Sequence, residues 1–411
     1  MKRFSRSSLT TMAVCLLFIP ALLKAQPRPA HRKKVGVVLS GGGAKGMAHI
    51  GVLKVIEKAG IPIDYVVGTS MGSIIGGLYS IGYSPEQLDS MVRRQDWTFL
   101  LSDKIPRSEQ NLSERDASQK YVFSIPFGKG VKAEVFGGLI RGQNLANLFS
   151  ELTIGYHDSI NFNKLPIPFA CVSENIVNGN EVNFHEGVLA TAMRASMAIP
   201  GVFTPVRLDS MVLVDGGVVN NYPVNVARAM GADLIIGVDV QSELKPAGEL
   251  NSAGAILGQL VNLMGQDLYK KNLKETTTYI KVNVEGYSAA SFTPSAIDTL
   301  IMRGEEAAMA QDSALMALKS QLGLDSTYMP QPIPSYPYSP ERKVYVKEIT
   351  FDGLDEKDKK WLLKRCDLKE NSEISIRRIE EATAILSANL GYSGATYNLP
   401  EAPGGGYNLN Y

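Results

Sequence analysis

A serine set between two glycines directly after an apolar run, in Tyr65-Val66-Val67-Gly68-Thr69-Ser70-Met71-Gly72, has the makings of a nucleophile for a carbonyl carbon. The G-x-S-x-G spacing predicts a sharp strand–turn–helix bend that lifts the hydroxyl clear of a sheet and aims a helix N-terminus at it. Gly68 and Gly72 let neighbouring backbone come close without a Cβ clash. Acyl transfer also builds negative charge on the carbonyl oxygen, and backbone N–H groups at a glycine-rich helix start stabilise it by about 3–4 kcal/mol per donor. Gly41, Gly42, Gly43, Ala44, Lys45 and Gly46 follow the run Val35–Ser40 and are the expected oxyanion hole. The serine further needs a base. The four histidines, His31, His49, His157 and His185, do not sit in a turn after a late strand. Asp215 does, between Met211-Val212-Leu213-Val214 and the pair Gly216-Gly217. A carboxylate about 2.6–3.2 Å from a hydroxyl can take its proton directly, so the expected pair is Ser70 with Asp215. His185 is the alternative base.

These residues call for an α/β framework. Val35–Leu39 and Tyr65–Val67 read as strands that end at the two turns, and Ile167–Ser173 and Leu234–Val240 have the near-continuous apolar character of parallel, doubly covered strands. Ser73–Ile81 and Val188–Met197 read as helices, and Ser84-Pro85-Glu86-Gln87 starts another with a serine cap and a first-turn proline. Other readings of the same residues are weaker. Gly41, Gly43 and Gly46 also satisfy G-x-G-x-x-G, but the acidic residue that would hold a ribose is missing from the end of the second strand, since Asp64 precedes it. A Walker-type loop fails because Lys45 precedes Gly46 and no Ser or Thr follows it. Taken singly, Ser70 could be a helix cap and Asp215 a turn residue.

The motifs G-G-G-A-K-G, G-T-S-M-G and D-G-G, in that order, resemble those of the patatin-like phospholipases. Arg194–Pro205 resembles the family's stretch upstream of the aspartate, and the likeness runs roughly from Lys34 to Leu318. The resemblance implies a three-layer α/β/α fold with a mainly parallel central sheet over residues 34–325. It also implies hydrolysis of lipid acyl esters, Ser70 as nucleophile, Asp215 as proton acceptor, oxyanion donors from Gly41–Gly46 with Lys45 in the basic position, and neither metal nor cofactor.

With 42 Lys and Arg against 41 Asp and Glu, the chain carries no net field that would draw a polyanion, which argues against nucleic acid. Its 411 residues suggest two domains, and a 45% apolar composition is enough to bury a sizeable core. Lys2, Arg3 and Arg6, then Met12–Leu23, then Lys24-Ala25-Gln26 read as a signal peptide over residues 1–25, with cleavage after Ala25. Cys171 and Cys366 fall in different predicted domains, so no disulfide is expected.

Composition shifts at the proline-rich segment 326–342, which predicts a stiff linker. Beyond it, residues 343–411 read as a small α+β unit in the order β-α-α-β-β: a strand at Lys343–Phe351, helices at Glu356–Arg365 and Ile376–Leu390, and strands at Ala395–Leu399 and Tyr407–Tyr411. This resembles a POTRA module, a periplasmic domain that usually precedes an outer-membrane barrel, here truncated. The expected setting is therefore export to the periplasm, outer membrane or cell surface of a Gram-negative bacterium. Expected partners are membrane phospholipids as substrate and an outer membrane reached through the POTRA-like module and its missing barrel, with a homodimer as a further option. The competing class is a catalytically silent assembly module that uses the POTRA-like segment. Two apolar segments, Trp97 to Leu101 and Ile256 to Met264, could form a lid or a membrane-docking face, with plain core packing the favoured reading of both.

Overall fold

The computed structural model describes residues 32–102, 138–251, 253–334, 341–352, 356–389 and 395–411. The signal-peptide reading of residues 1–25 and linker residues 335–340 lie outside them, as do residues 103–137.

Short apolar runs rich in Val and Ile pack best in a pleated layer covered on both faces, and they supply the main sheet. Its strands are β1 (Val35–Leu39), β2 (Tyr65–Thr69), β3 (Phe169–Asn175), β4 (Asn180–Phe184), β5 (Val206–Leu208), β6 (Met211–Asp215), β7 (Leu234–Asp239) and β8 (Thr278–Lys281). The order is β8-β7-β1-β2-β3-β6-β5, with β4 also paired to β3. Strands β8, β7, β1, β2 and β3 run parallel, whereas β6 and β4 are antiparallel to β3. Alternate residues of a strand face opposite ways. Val37, Leu39 and Val66 accordingly join one large apolar cluster with helices Ala48–Lys58 and Met71–Ser80, while Val38 and Val67 join a second with Tyr222, Val224 and Ala227. The result is a sheet between two covering layers.

One register detail decides where the chemistry sits. Strand β4 occupies one edge of β3 along residues 171–175, so β2 and β6 must share the other edge, β2 along Phe169–Val172 and β6 along Ser173–Asn175. They approach from opposite directions. Their carboxyl ends therefore meet, Thr69 opposite Val172 and Asp215 opposite Ser173. Ser70 is the next residue after Thr69.

The C-terminal residues form a second sheet of β9 (Lys343–Thr350), β10 (Ser372–Ser375) and β11 (Tyr407–Asn410), ordered β10-β9-β11, with helices Glu356–Arg365 and Ile376–Asn389. The expected order β-α-α-β-β is corrected to β-α-β-α-β. The added strand is Ser372-Glu373-Ile374-Ser375, which buries only Ile374 and so carries almost no apolar period in its sequence. Residues 395–399 were expected as a strand and are not one, apart from a single bridge from Asn398 to Asn410. The neighbouring donors point elsewhere: the Leu399 N–H goes to His157 and the Glu401 N–H to Asp158.

Candidate active site

Ser70 sits at φ 55° and ψ −124°, a backbone region that a residue with a Cβ enters only when its surroundings hold it there. Those surroundings are specific. The Ser70 N–H donates to Ser196 Oγ at 3.0 Å, and the Ser196 hydroxyl donates onward to the Val172 carbonyl at 2.6 Å. On the other side the Ser73 hydroxyl donates to the Ser70 carbonyl at 2.6 Å. A Cβ on Gly68 would overlap the Gly72 carbonyl, and one on Gly72 would overlap the Leu39 carbonyl. The two glycines thus let the turn and the start of its helix lie on β1. Gly72→Ala is expected to destabilise the protein by about 3 kcal/mol, because the atom it must displace is backbone. A thermal melt reads this as a lowered Tm, and an unchanged Tm would contradict the close approach.

The Ser70 hydroxyl donates to Asp215 Oδ2 at 2.6 Å, and both residues are buried. Asp215 Oδ1 accepts the Gly217 N–H at 2.8 Å, while the Asp215 N–H is held by the Ala198 carbonyl at 2.9 Å. Burial without a cationic partner pushes the Asp215 carboxyl up to about 6, and the hydrogen bonds from Ser70 and Gly217 only partly offset this. Gly216 is packed so tightly that a Cβ would overlap the Val172 carbonyl, which fixes the turn after β6 against β3. Among the described residues, no histidine takes part in the hydrogen bonds of the Ser70 hydroxyl or the Asp215 carboxylate. His185 is half-buried elsewhere, its carbonyl accepting the Phe162 N–H. His49 is buried with Nε2 against the Ser40 carbonyl at 2.8 Å, and burial lowers its pKa to about 4.

The glycine-rich loop runs from β1 into a tight turn at Gly43–Met47 and then helix Ala48–Lys58. Of the six amides expected as donors, two are held by other loops: Gly41 N–H goes to the Asn221 carbonyl and Ala44 N–H to the Ala289 carbonyl. Gly42 and Gly43 open the turn, where N–H groups lack an intrahelical partner. Gly43 takes φ +58° and borders the same cavity as Ser70. Lys45 turns away, its Nζ donating to Ser242 Oγ at 2.8 Å, and burial followed by repulsion from Lys281 lowers its pKa to about 8. Beneath it, buried Asp239 accepts from Tyr269 and Tyr279 hydroxyls at 2.8 and 2.7 Å and from Lys281 at 3.0 Å. Among the described residues, no group of three or more His, Cys, Asp or Glu side chains stands together as a metal site would need.

From Ser70 a cavity of about 330 Å³ extends into the protein between Met47, Ile75, Leu78, Leu148, Phe149 and Phe292. Trp97 stacks on Phe292 with ring centroids 4.8 Å apart, and Leu101 also lines the cavity. The Trp97–Leu101 segment is therefore packed inward. The other apolar segment behaves differently: in helix Ala253–Met264, Ile256, Leu260, Leu263 and Met264 are exposed.

Residues 37–228 match the family model of the patatin-like phospholipases, a range that contains the glycine-rich loop, Ser70 and Asp215. Lysophospholipase NTE1 of Candida albicans is 31% identical over 221 residues, covering 52% of this chain and 14% of that protein. A patatin-like phospholipase domain-containing protein of Caenorhabditis elegans is 35% identical over 211 residues, 51% of this chain and 14% of that one. An uncharacterized NTE family protein of Mycobacterium tuberculosis is 29% identical over 230 residues, 56% of this chain and 55% of that one. The chain thus spans a small part of the first two and about half of the third. Within it, residues 37–228 are a patatin-like phospholipase domain.

Proposed function

We propose that the chain is a serine hydrolase of lipid acyl esters, with Ser70 as nucleophile and Asp215 as its base. The observation that carries this reading is the Ser70 hydroxyl donating to a buried carboxylate at the mouth of an apolar cavity. Asp215 takes the hydroxyl proton as Ser70 Oγ bonds to the ester carbonyl carbon, and the amides of Gly42 and Gly43 hold the resulting oxyanion. The intermediate collapses to an acyl-serine as Asp215 returns the proton to the departing alkoxide. Water then attacks the acyl-serine, Asp215 again taking and returning a proton. The acyl tail meanwhile lies in the cavity. At ~30 Å³ for a group the size of a water molecule or a methylene, the cavity holds about eleven such groups, which is one medium-length chain. That suits a single-chain ester, and the lysophospholipase name of the Candida relative favours the same class. An exported protein acting at the bacterial envelope is part of this proposal, supported by the pattern of residues 1–25. Nothing in the fold favours the silent assembly module.

The base must be ionised to work. With Asp215 raised to about 6, kcat/KM for a dodecanoyl ester is expected to be level above that pH and to fall about tenfold per unit below it. A profile that stays flat through about pH 5 contradicts the role of Asp215.

A further inference from the structure

Helix Gln143–Leu152 turns Leu145, Leu148, Phe149 and Leu152 toward the cavity, the i, i+3, i+4, i+7 spacing of one helix face. Both of its ends are tied to the C-terminal residues. At the start, Gln143 Nε2 donates to the Ala395 carbonyl at 2.8 Å. Past the other end, Ile154 is buried in the same apolar cluster as Val344, Ile374 and Leu399. Asp158 Oδ2 accepts the Glu401 N–H at 3.0 Å. Between them lies His157, buried, with both ring nitrogens in use: Nε2 with the Ser150 carbonyl at 2.7 Å, and Nδ1 with the Leu399 N–H at 2.7 Å. A carbonyl only accepts and an N–H only donates, so the ring is neutral, with its proton on Nε2. Four residue steps from Ala395 to Leu399 reach about 14 Å, and a ten-residue helix is about 15 Å long. Residues 395–399 thus form a strap fastened at both ends, Ala395 to Gln143 and Leu399, through His157, to the Ser150 carbonyl.

We infer that His157 is a positioning residue for the acyl cavity: through it the C-terminal module holds helix Gln143–Leu152 in place, so that affinity for long acyl chains depends on the docked module. The inference rests on the acyl-hydrolase reading of Ser70. A dodecanoyl chain fills the cavity and presses on Leu148 and Phe149, whereas a butyryl group occupies about a third of the space. Loosening the strap should weaken binding of the first and spare the second.

The test compares the full-length protein with its His157→Ala variant on p-nitrophenyl dodecanoate and butyrate, and follows hydrogen exchange of the amides of residues 143–152. The expected result is a KM for dodecanoate raised about tenfold, KM for butyrate and both kcat values within about twofold, and faster exchange in the helix. Equal losses on both esters, or an unchanged KM for dodecanoate, overturn the inference. Should His157→Ala not fold, Gln143→Ala releases the other end of the strap and is expected to raise KM for dodecanoate about threefold with butyrate unaffected, and no change there overturns it equally. If the unaltered protein cleaves neither ester, the Ser70 reading falls by itself. Exchange then decides the coupling, and unchanged rates over residues 143–152 in the variant overturn it.

Discussion

Ser70→Ala is expected to fold as the parent does and to lose ester hydrolysis by about 10⁴-fold or more in kcat, the scale seen when a catalytic serine is removed. The change deletes only the Oγ that forms the bond to the acyl carbon. The backbone anchors of the turn, through Ser196, Ser73 and the glycines at 68 and 72, do not involve that atom. Asp215 loses one of its two hydrogen-bond donors and keeps the other, Gly217. The cost to stability should stay near about 1 kcal/mol, the ordinary worth of a hydrogen bond. Steady-state kinetics on a short chromogenic ester with a parallel urea melt reads both quantities. Retained turnover in the variant means that another group attacks the ester.

Asp215→Asn should lose activity by about 10³–10⁴-fold and, unlike most active-site changes, gain stability. The sign follows from linkage. The folded-state carboxyl is raised to about 6 from an ordinary 3.8, so the folded protein prefers the protonated form. Ionisation therefore costs the fold about 1–3 kcal/mol at neutral pH, a cost that shrinks as pH falls through 6 and is gone below about 4. Asparagine carries no charge, can accept the Gly217 N–H through its carbonyl and can donate its amide toward Ser70. Denaturant melts should show Asp215→Asn to be the more stable protein at about pH 7.5, with the margin narrowing toward pH 4.5. A variant less stable at neutral pH would mean that the carboxylate is better solvated than its burial implies.

The parts of the site readable from sequence are those whose geometry is local. Glycines at 68 and 72 around Ser70, and the run Gly41–Gly46 after an apolar strand, each describe a turn that few other sequences make. The contact between Ser70 and Asp215 is of another kind. It arises because β2 and β6 share one edge of β3 and abut at Val172 and Ser173, a register that no spacing within either segment encodes. Ser196 carries no signal in the sequence, because a lone serine in a helix looks like any other. Its use as the bridge between the Ser70 turn and β3 exists only once helix Leu189–Ser196 has packed there. The engaged amides of Gly41 and Ala44 were hidden for the same reason, since their partners, Asn221 and Ala289, come from distant loops. Asp239 ends an apolar strand much as Asp215 does. Its environment separates them: against the upward push of burial, Lys281, the Gln241 N–H and two tyrosine hydroxyls hold the Asp239 carboxyl below its ordinary value, while burial lifts Asp215 above it.

Helix Ala253–Met264 shows the limit of composition from the other side. Its uncharged sequence is compatible with a core element, yet Ile256, Leu260, Leu263 and Met264 lie open. The Trp97 segment, equally apolar, became the wall of the cavity. The difference is made by the partner each finds, Phe292 in the second case.

The claim that Ser70 is an activated nucleophile is tested most directly with a fluorophosphonate, which forms a covalent adduct with an activated serine, read by peptide mass spectrometry. A single adduct on Ser70, formed far more slowly in Asp215→Asn, is the expected result. An adduct on a different serine, or an unlabelled Ser70 in protein that still cleaves esters, would contradict it.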